Sequence, residues 1–150
     1  MSHLDTTRLR LDPLRTTLSG PDAAEVVVGV SVDKLASAVF RHDPPTPAEL
    51  EQGIDIVEDA LMATHLTHTE RGELVSSDDL IRTLPGLQND GSRLTRDEVE
   101  ALFQRMASVS LGNPCALGDL PASRHACATL LVLRECMHHL GFEAVRATGQ

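Results

Sequence analysis

Two pairs of metal-capable side chains stand three residues apart in this 150-residue chain: His65 with His68, and Cys136 with His139. On a helix that spacing brings two side chains to one face, within reach of a single cation that accepts imidazole or thiolate. Neither pair is joined by a second Cys-x-x-Cys or His-x-x-x-His, so neither completes a ligand set by sequence alone. His65 and His68 fall where a helical pattern fades among threonines, an exposed setting. Cys127 lies in an apolar run; Cys136 and His139 lie on a flank of the last helix, where a buried thiol and a basic ring favoured by the helix C-terminus are the expectation. The three cysteines, Cys115, Cys127 and Cys136, include none at an evident helix N-terminus that would lower its pKa. Gly29 follows a strand pattern without the further glycines of a phosphate cradle, and no Gly-Lys-Ser/Thr occurs. A Gly-x-Ser-x-Gly elbow is also missing. From these motifs we expect no cofactor, no resident metal and no catalytic residue.

The most unusual chemistry is carboxylate. Ten acidic residues lie between Asp43 and Asp79, where Arg71 is the sole basic residue; the rest of the chain holds twelve acids and twelve bases. The formal charge of -9 therefore belongs to one quarter of the sequence. Within it, Glu51, Asp55, Glu58 and Asp59 share a face at three- and four-residue spacings, and each like-charge pair so spaced costs a helix about 0.2–0.5 kcal/mol. Gly53 weakens the same helix by a further ~1 kcal/mol relative to Ala. An unrelieved stripe of this kind suits a basic protein partner or a divalent cation held by oxygen ligands.

Composition excludes several classes. With no Trp, no Tyr and three Phe, the chain lacks the exposed rings on which single-stranded nucleic acids stack. A pI near 5.1 and the absence of a basic cluster argue against any nucleic acid. No apolar run approaches the ~18 residues of a membrane span. The charged N-terminus lacks the apolar core of a secretory signal, and three cysteines form no even disulfide framework. A cytoplasmic location is expected, and the abundance of Arg over the single Lys34 resembles chains from GC-rich bacterial genomes.

The elements that must position these groups are partly legible. Glu25–Ser31, rich in valine, predicts the clearest strand. Val32, Leu35, Ala36, Val39 and Phe40 repeat at helical spacing up to the breaker Asp43-Pro44-Pro45. Thr46-Pro47-Ala48-Glu49 is a capping box with proline at the first helical position, opening a helix to about Thr64. A short strand is expected at Gly72–Val75. A short helix carries Leu80, Ile81 and Leu84. A second capping box, Thr95 to Glu98, precedes the stripe Val99, Leu102, Phe103, Met106 and Val109. The last helix, Ala122–Leu140, has a narrow polar face of Arg124, Arg134, Glu135 and His138. Gly141 is its left-handed C-cap, and 143–148 reads as a final strand.

These elements predict a mainly helical α+β fold, four or five helices packed with a small sheet of two to four short strands. Residues 1–22 read as an N-terminal tail or edge strand and 23–150 as a single compact domain. The wide apolar circumference of the last helix suggests a homodimer. In function the sequence reads as a non-enzymatic interaction or regulatory module, with Glu51, Asp55, Glu58 and Asp59 as its partner-facing residues. The alternative is a small metalloprotein or enzyme using His, Cys and carboxylate groups.

Overall fold

The computed structural model describes residues 6–21 and 24–149. Six strands form one mixed sheet: β1 (Thr6–Leu11), β2 (Thr16–Ser19), β3 (Glu25–Val28), β4 (Arg71–Ser76), β5 (Arg93–Thr95) and β6 (Phe142–Ala147). Their order is β3-β2-β1-β4-β6-β5. The first three strands are an antiparallel meander, β1, β4 and β6 run parallel, and β5 closes the far edge antiparallel to β6. This corrects the expected sheet of two to four strands. Thr6–Leu11 is an interior strand with neighbours on both sides, not an edge strand or tail. The physical reason for the underestimate is that β2 and β5 are four and three residues long and polar in composition. Their pairing comes from the neighbouring backbone rather than from their own side chains.

Local signals were stronger for the helices. Val32–Lys34 (α1) is capped by Ser31 and continues as one π turn, Leu35–Val39. Pro47–Met62 (α2) and Arg96–Ser110 (α4) both begin with the reciprocal capping boxes of Thr46 with Glu49 and Thr95 with Glu98. Asp79–Arg82 (α3) is a single turn. Arg124–Leu140 (α5) starts from the cap Ser123 and ends at Gly141, whose φ of 86° is the left-handed conformation a C-cap requires.

Helix α5 is the centre of the molecule. It packs on α1, α2, α3, α4 and β6, and every residue from Ala126 to Leu133 is buried. Its wide apolar surface is covered within one chain. Gly53 of α2 explains itself here: a Cβ at that position would stand 2.8 Å from Leu131 Cδ2 and 3.0 Å from the Phe40 ring. The glycine that weakens α2 as an isolated helix lets it approach α5 closely.

The alternating pattern of β1 turns Leu9 into the core while Arg8 and Arg10 stay exposed. On β4, β6 and β5, Glu73, Arg146 and Arg93 are ion-paired across the strands, with Arg146 Nε 3.0 Å from Glu73 Oε1. Hydrogen bonding by the two guanidinium groups, outweighing partial burial, holds the Glu73 carboxyl below its usual pKa. Among the described residues, no helix is long and apolar enough to cross a membrane.

Candidate functional site

The chain moves outward in opposite directions from the centre of the sheet, towards β2 and β3 from β1 and towards β6 and β5 from β4. In open sheets a crevice forms outside the carboxyl ends of parallel strands at such a reversal. Here those ends are Leu11 and Ser76. The side chain that joins them is Asp78, just beyond β4: its Oδ2 accepts the Leu11 amide at 2.9 Å. Ser76 Oγ donates to the same oxygen at 3.4 Å and accepts the Asp78 amide at 3.2 Å. Burial pushes the Asp78 carboxyl above its ordinary pKa, against the lowering effect of the Leu11 and Ser76 hydrogen bonds, and nearby Asp12 pushes it further. At the end of β6, the Thr148 amide donates to Ser76 O at 2.9 Å, and its hydroxyl is buried without a partner.

The β1–β2 turn, Asp12-Pro13-Leu14-Arg15, follows directly on the carboxyl end of β1. The Asp12 amide donates to Arg15 O at 2.9 Å, the Arg15 amide donates to Asp12 O at 3.3 Å, and Pro13 has no donor. A phosphate cradle needs several backbone N–H groups aimed at one point, and this turn has spent most of its own. What this edge carries is side chains: the carboxylates of Asp12 and Asp78, the hydroxyl of Ser76, and Arg10, 3.8 Å from Asp12. Those groups can orient and deprotonate water or hold a cation, and the guanidinium beside them is that of Arg10.

A second polar cluster lies on the helical layer. Glu58 of α2 meets His139 of α5 at 3.8 Å, and His139 Nε2 is 3.6 Å from Glu135 Oε2. Arg134 Nη1 donates to Glu135 Oε1 at 2.7 Å while its Nε and Nη2 reach Glu100 at 2.6 and 3.1 Å. The guanidinium also stacks over the Phe103 ring at 4.6 Å. Glu135 was expected on the polar face of α5, yet its side chain is only 1 % exposed. Burial raises its carboxyl pKa against the opposing pull of Arg134.

The residues singled out by sequence distribute unevenly. Of the acidic stripe, Glu58 is drawn into the cluster, while Glu51, Asp55 and Asp59 are exposed. Cys136 does not join His139: it is fully buried, and burial pushes its thiol up to about 12. Cys127 is buried and pushed up to about 11, and Cys115 is exposed. His65 and His68 are exposed, and neither belongs to a cluster of three or more ligating side chains among the described residues. Sequence reasoning missed Asp78, which looked like an ordinary helix cap; its hydrogen-bond partner is 67 residues away, and no local signal marks it.

A cavity of about 210 Å³ opens between α4, α5 and the 114–122 loop, walled by Leu84, Met106, Leu120, Pro121, Ala126 and Leu130. Asp43 is the charged group on its rim. Without convergent polar groups it is a hydrophobic recess rather than a reaction centre.

No protein-family model and no curated protein sequence matches the chain. Solved structures do. An Aquifex aeolicus Ppx/GppA phosphatase, described as the type II variant, superposes with a TM-score of 0.74 at 12% identity, over 99% of this chain and 54% of that one. Another structure of the Aquifex aeolicus Ppx/GppA family member gives 0.73 at 12% identity, over 97% and 52%. An exopolyphosphatase from Cytophaga hutchinsonii gives 0.69 at 10% identity, over 99% and 54%. The chain thus spans about half the length of the structures it matches. These neighbours overturn the reading of a non-enzymatic protein-binding module, because the whole chain is built like part of known enzymes. The likeness establishes a fold: a six-stranded mixed sheet with helices, shared with one half of Ppx/GppA phosphatases.

Proposed function

We propose that the chain acts as one half of a phosphatase of Ppx/GppA architecture, meeting its phosphate-bearing substrate at the carboxyl edge where β1 and β4 diverge. The observation that carries this reading is the superposition of nearly the entire chain on half of several such enzymes. The crevice at Leu11, Ser76 and Asp78 lies where an open sheet of this topology receives ligands. Asp78 and Ser76 hold the ends of β1 and β4 together, and Arg10 and Arg15 supply positive charge for an anion. The turn between β1 and β2 has few amides to spare, so a second half completes the cradle. Binding by this chain alone is therefore weak, and hydrolysis needs both halves.

The test is nuclear magnetic resonance of the labelled chain titrated with inorganic polyphosphate. Amides of Leu11, Arg15, Ser76, Asp78 and Thr148 are expected to shift together and to saturate. Absence of any shift at millimolar polyphosphate, or shifts confined to α2 and α5, would sink the assignment of this edge. Phosphate release on adding the complementary half of a Ppx/GppA enzyme, reduced by Asp78→Ala, would extend it from binding to hydrolysis.

A further inference from the structure

The Glu135 carboxylate has one oxygen accounted for and one not. Oε1 accepts from Arg134, whereas Oε2 is buried and has no hydrogen-bond donor. An ionised oxygen in that position has lost its water with no donor in return. What faces it are ligand atoms. His139 Nε2 lies 3.6 Å away, and Glu58 Oε1 lies 3.8 Å from that same nitrogen. One oxygen from each carboxylate and the imidazole nitrogen all fall within 4.8 Å of one another. Charge points the same way. The carboxylates of Glu58, Glu100 and Glu135 are set against the single guanidinium of Arg134.

We propose that Glu58, Glu135 and His139 form a binding site for one divalent transition-metal ion of the Zn2+ class. Glu135 and His139 are four residues apart on α5 and present ligands on one face, and Glu58 closes the site from α2. Tetrahedral zinc with bonds of about 2.0–2.1 Å places its ligand atoms about 3.3 Å apart. The observed separations from His139 are slightly wider, so modest side-chain rotation draws the three onto an ion. Glu58 and His139 are 39 and 29 % exposed, which leaves a path for metal entry and a coordination position open to water. An imidazole among carboxylates favours zinc or cobalt over calcium and magnesium, which take oxygen ligands. The site lies on the helical layer, and its existence does not depend on the phosphatase reading.

The experiment uses the full chain, stripped with a chelator and titrated with Zn2+ by calorimetry and with Co2+ by visible absorption. One ion per chain is expected, with cobalt bands of a four- or five-coordinate centre and a zinc-dependent rise in melting temperature. Glu58→Gln, Glu135→Gln and His139→Ala should each weaken binding about tenfold or more. His65→Ala with His68→Ala, and Cys115→Ser, should leave it intact. No binding at millimolar metal would overturn the proposal and leave a buried proton on Glu135 as the neutralising species. Binding that survives Glu58→Gln and His139→Ala, or that is lost with His65, His68 or Cys115, would overturn it equally. Should Glu135→Gln fail to fold, the two partly exposed positions carry the test.

Discussion

Asp78 and Glu135 are both carboxylates that burial pushes above their ordinary pKa, and they are treated very differently by their surroundings. Asp78 is supplied with donors from the backbone of another strand and from a neighbouring hydroxyl. Its cost of desolvation is offset by joining β1 to β4. Glu135 receives an arginine on one oxygen and no hydrogen bond on the other, where His139 Nε2 stands 3.6 Å away. The first carboxylate takes both donors on Oδ2 and ties the ends of β1 and β4 together. The second keeps one buried oxygen without a hydrogen bond. The difference teaches that burial alone does not single out a carboxylate; the acceptor oxygen left without a donor does.

Glu135 lies on α5, and α3, which begins just beyond Asp78, packs on that helix. Leu133→Ala removes a fully buried side chain of that helix and is expected to cost roughly 2–5 kcal/mol, the largest effect among these variants, read as a lower denaturation midpoint. An unchanged midpoint would mean that α5 is not the frame. Gly53→Ala sharpens the same point. Helix propensity alone predicts a gain, but the added Cβ meets Leu131 and Phe40, so a loss of about 1–3 kcal/mol from overpacking is expected. A gain would show that α2 and α5 have room to separate.

The two carboxylates should then respond with opposite signs. Asp78→Ala leaves the Leu11 amide without its acceptor and should destabilise by about 1–3 kcal/mol, with faster hydrogen exchange at Leu11. Glu135→Gln in metal-free protein removes a charge that burial disfavours while keeping an acceptor for Arg134, and stability should rise. If both substitutions destabilise alike, the contrast between the two sites collapses.

Acidity separates charge from hydrogen bonding at Asp78. A carboxyl whose folded pKa is raised contributes stability that is complete below its unfolded pKa, near 3.8, and is lost as pH rises through the folded value. Asp78→Asn keeps an acceptor for Leu11 but removes this dependence. Its stability relative to the native chain should therefore improve as pH rises from about 3.5 through the folded value, read by urea denaturation at a series of pH values. Glu49 has the opposite sign. Burial raises its pKa, but the Thr46 amide, His42 and the Arg41 amide outweigh it and lower the carboxyl to about 2. Its contribution is present above its ordinary 4.5 and is lost as pH falls towards 2. The smallest effect belongs to the exposed stripe: Asp55→Asn with Asp59→Asn relieves repulsion worth about 0.5 kcal/mol, a rise in melting temperature of a few degrees at most. A larger gain would show that the stripe is strained rather than solvated.

What the amino-acid sequence determined by itself is the local grammar. Thr46 with Glu49, Thr95 with Glu98 and Gly141 set the ends of the helices where their spacing said they would, because capping is satisfied within four residues. The apolar repeats marked α5 as the core for the same reason. Tertiary structure alone decided the size of the sheet, since β2 and β5 exist through pairing with distant backbone. It also decided which side chains meet. The acidic stripe and the Cys136–His139 pair were visible, but only the packing of α2 on α5 could select Glu58 from the one and His139 from the other, and bury Glu135 between them. The Asp78 bond to Leu11 bridges strands 67 residues apart. No pattern read along one segment contains that contact, because hydrogen bonds of this kind are created by the crossing of elements and not by the elements themselves.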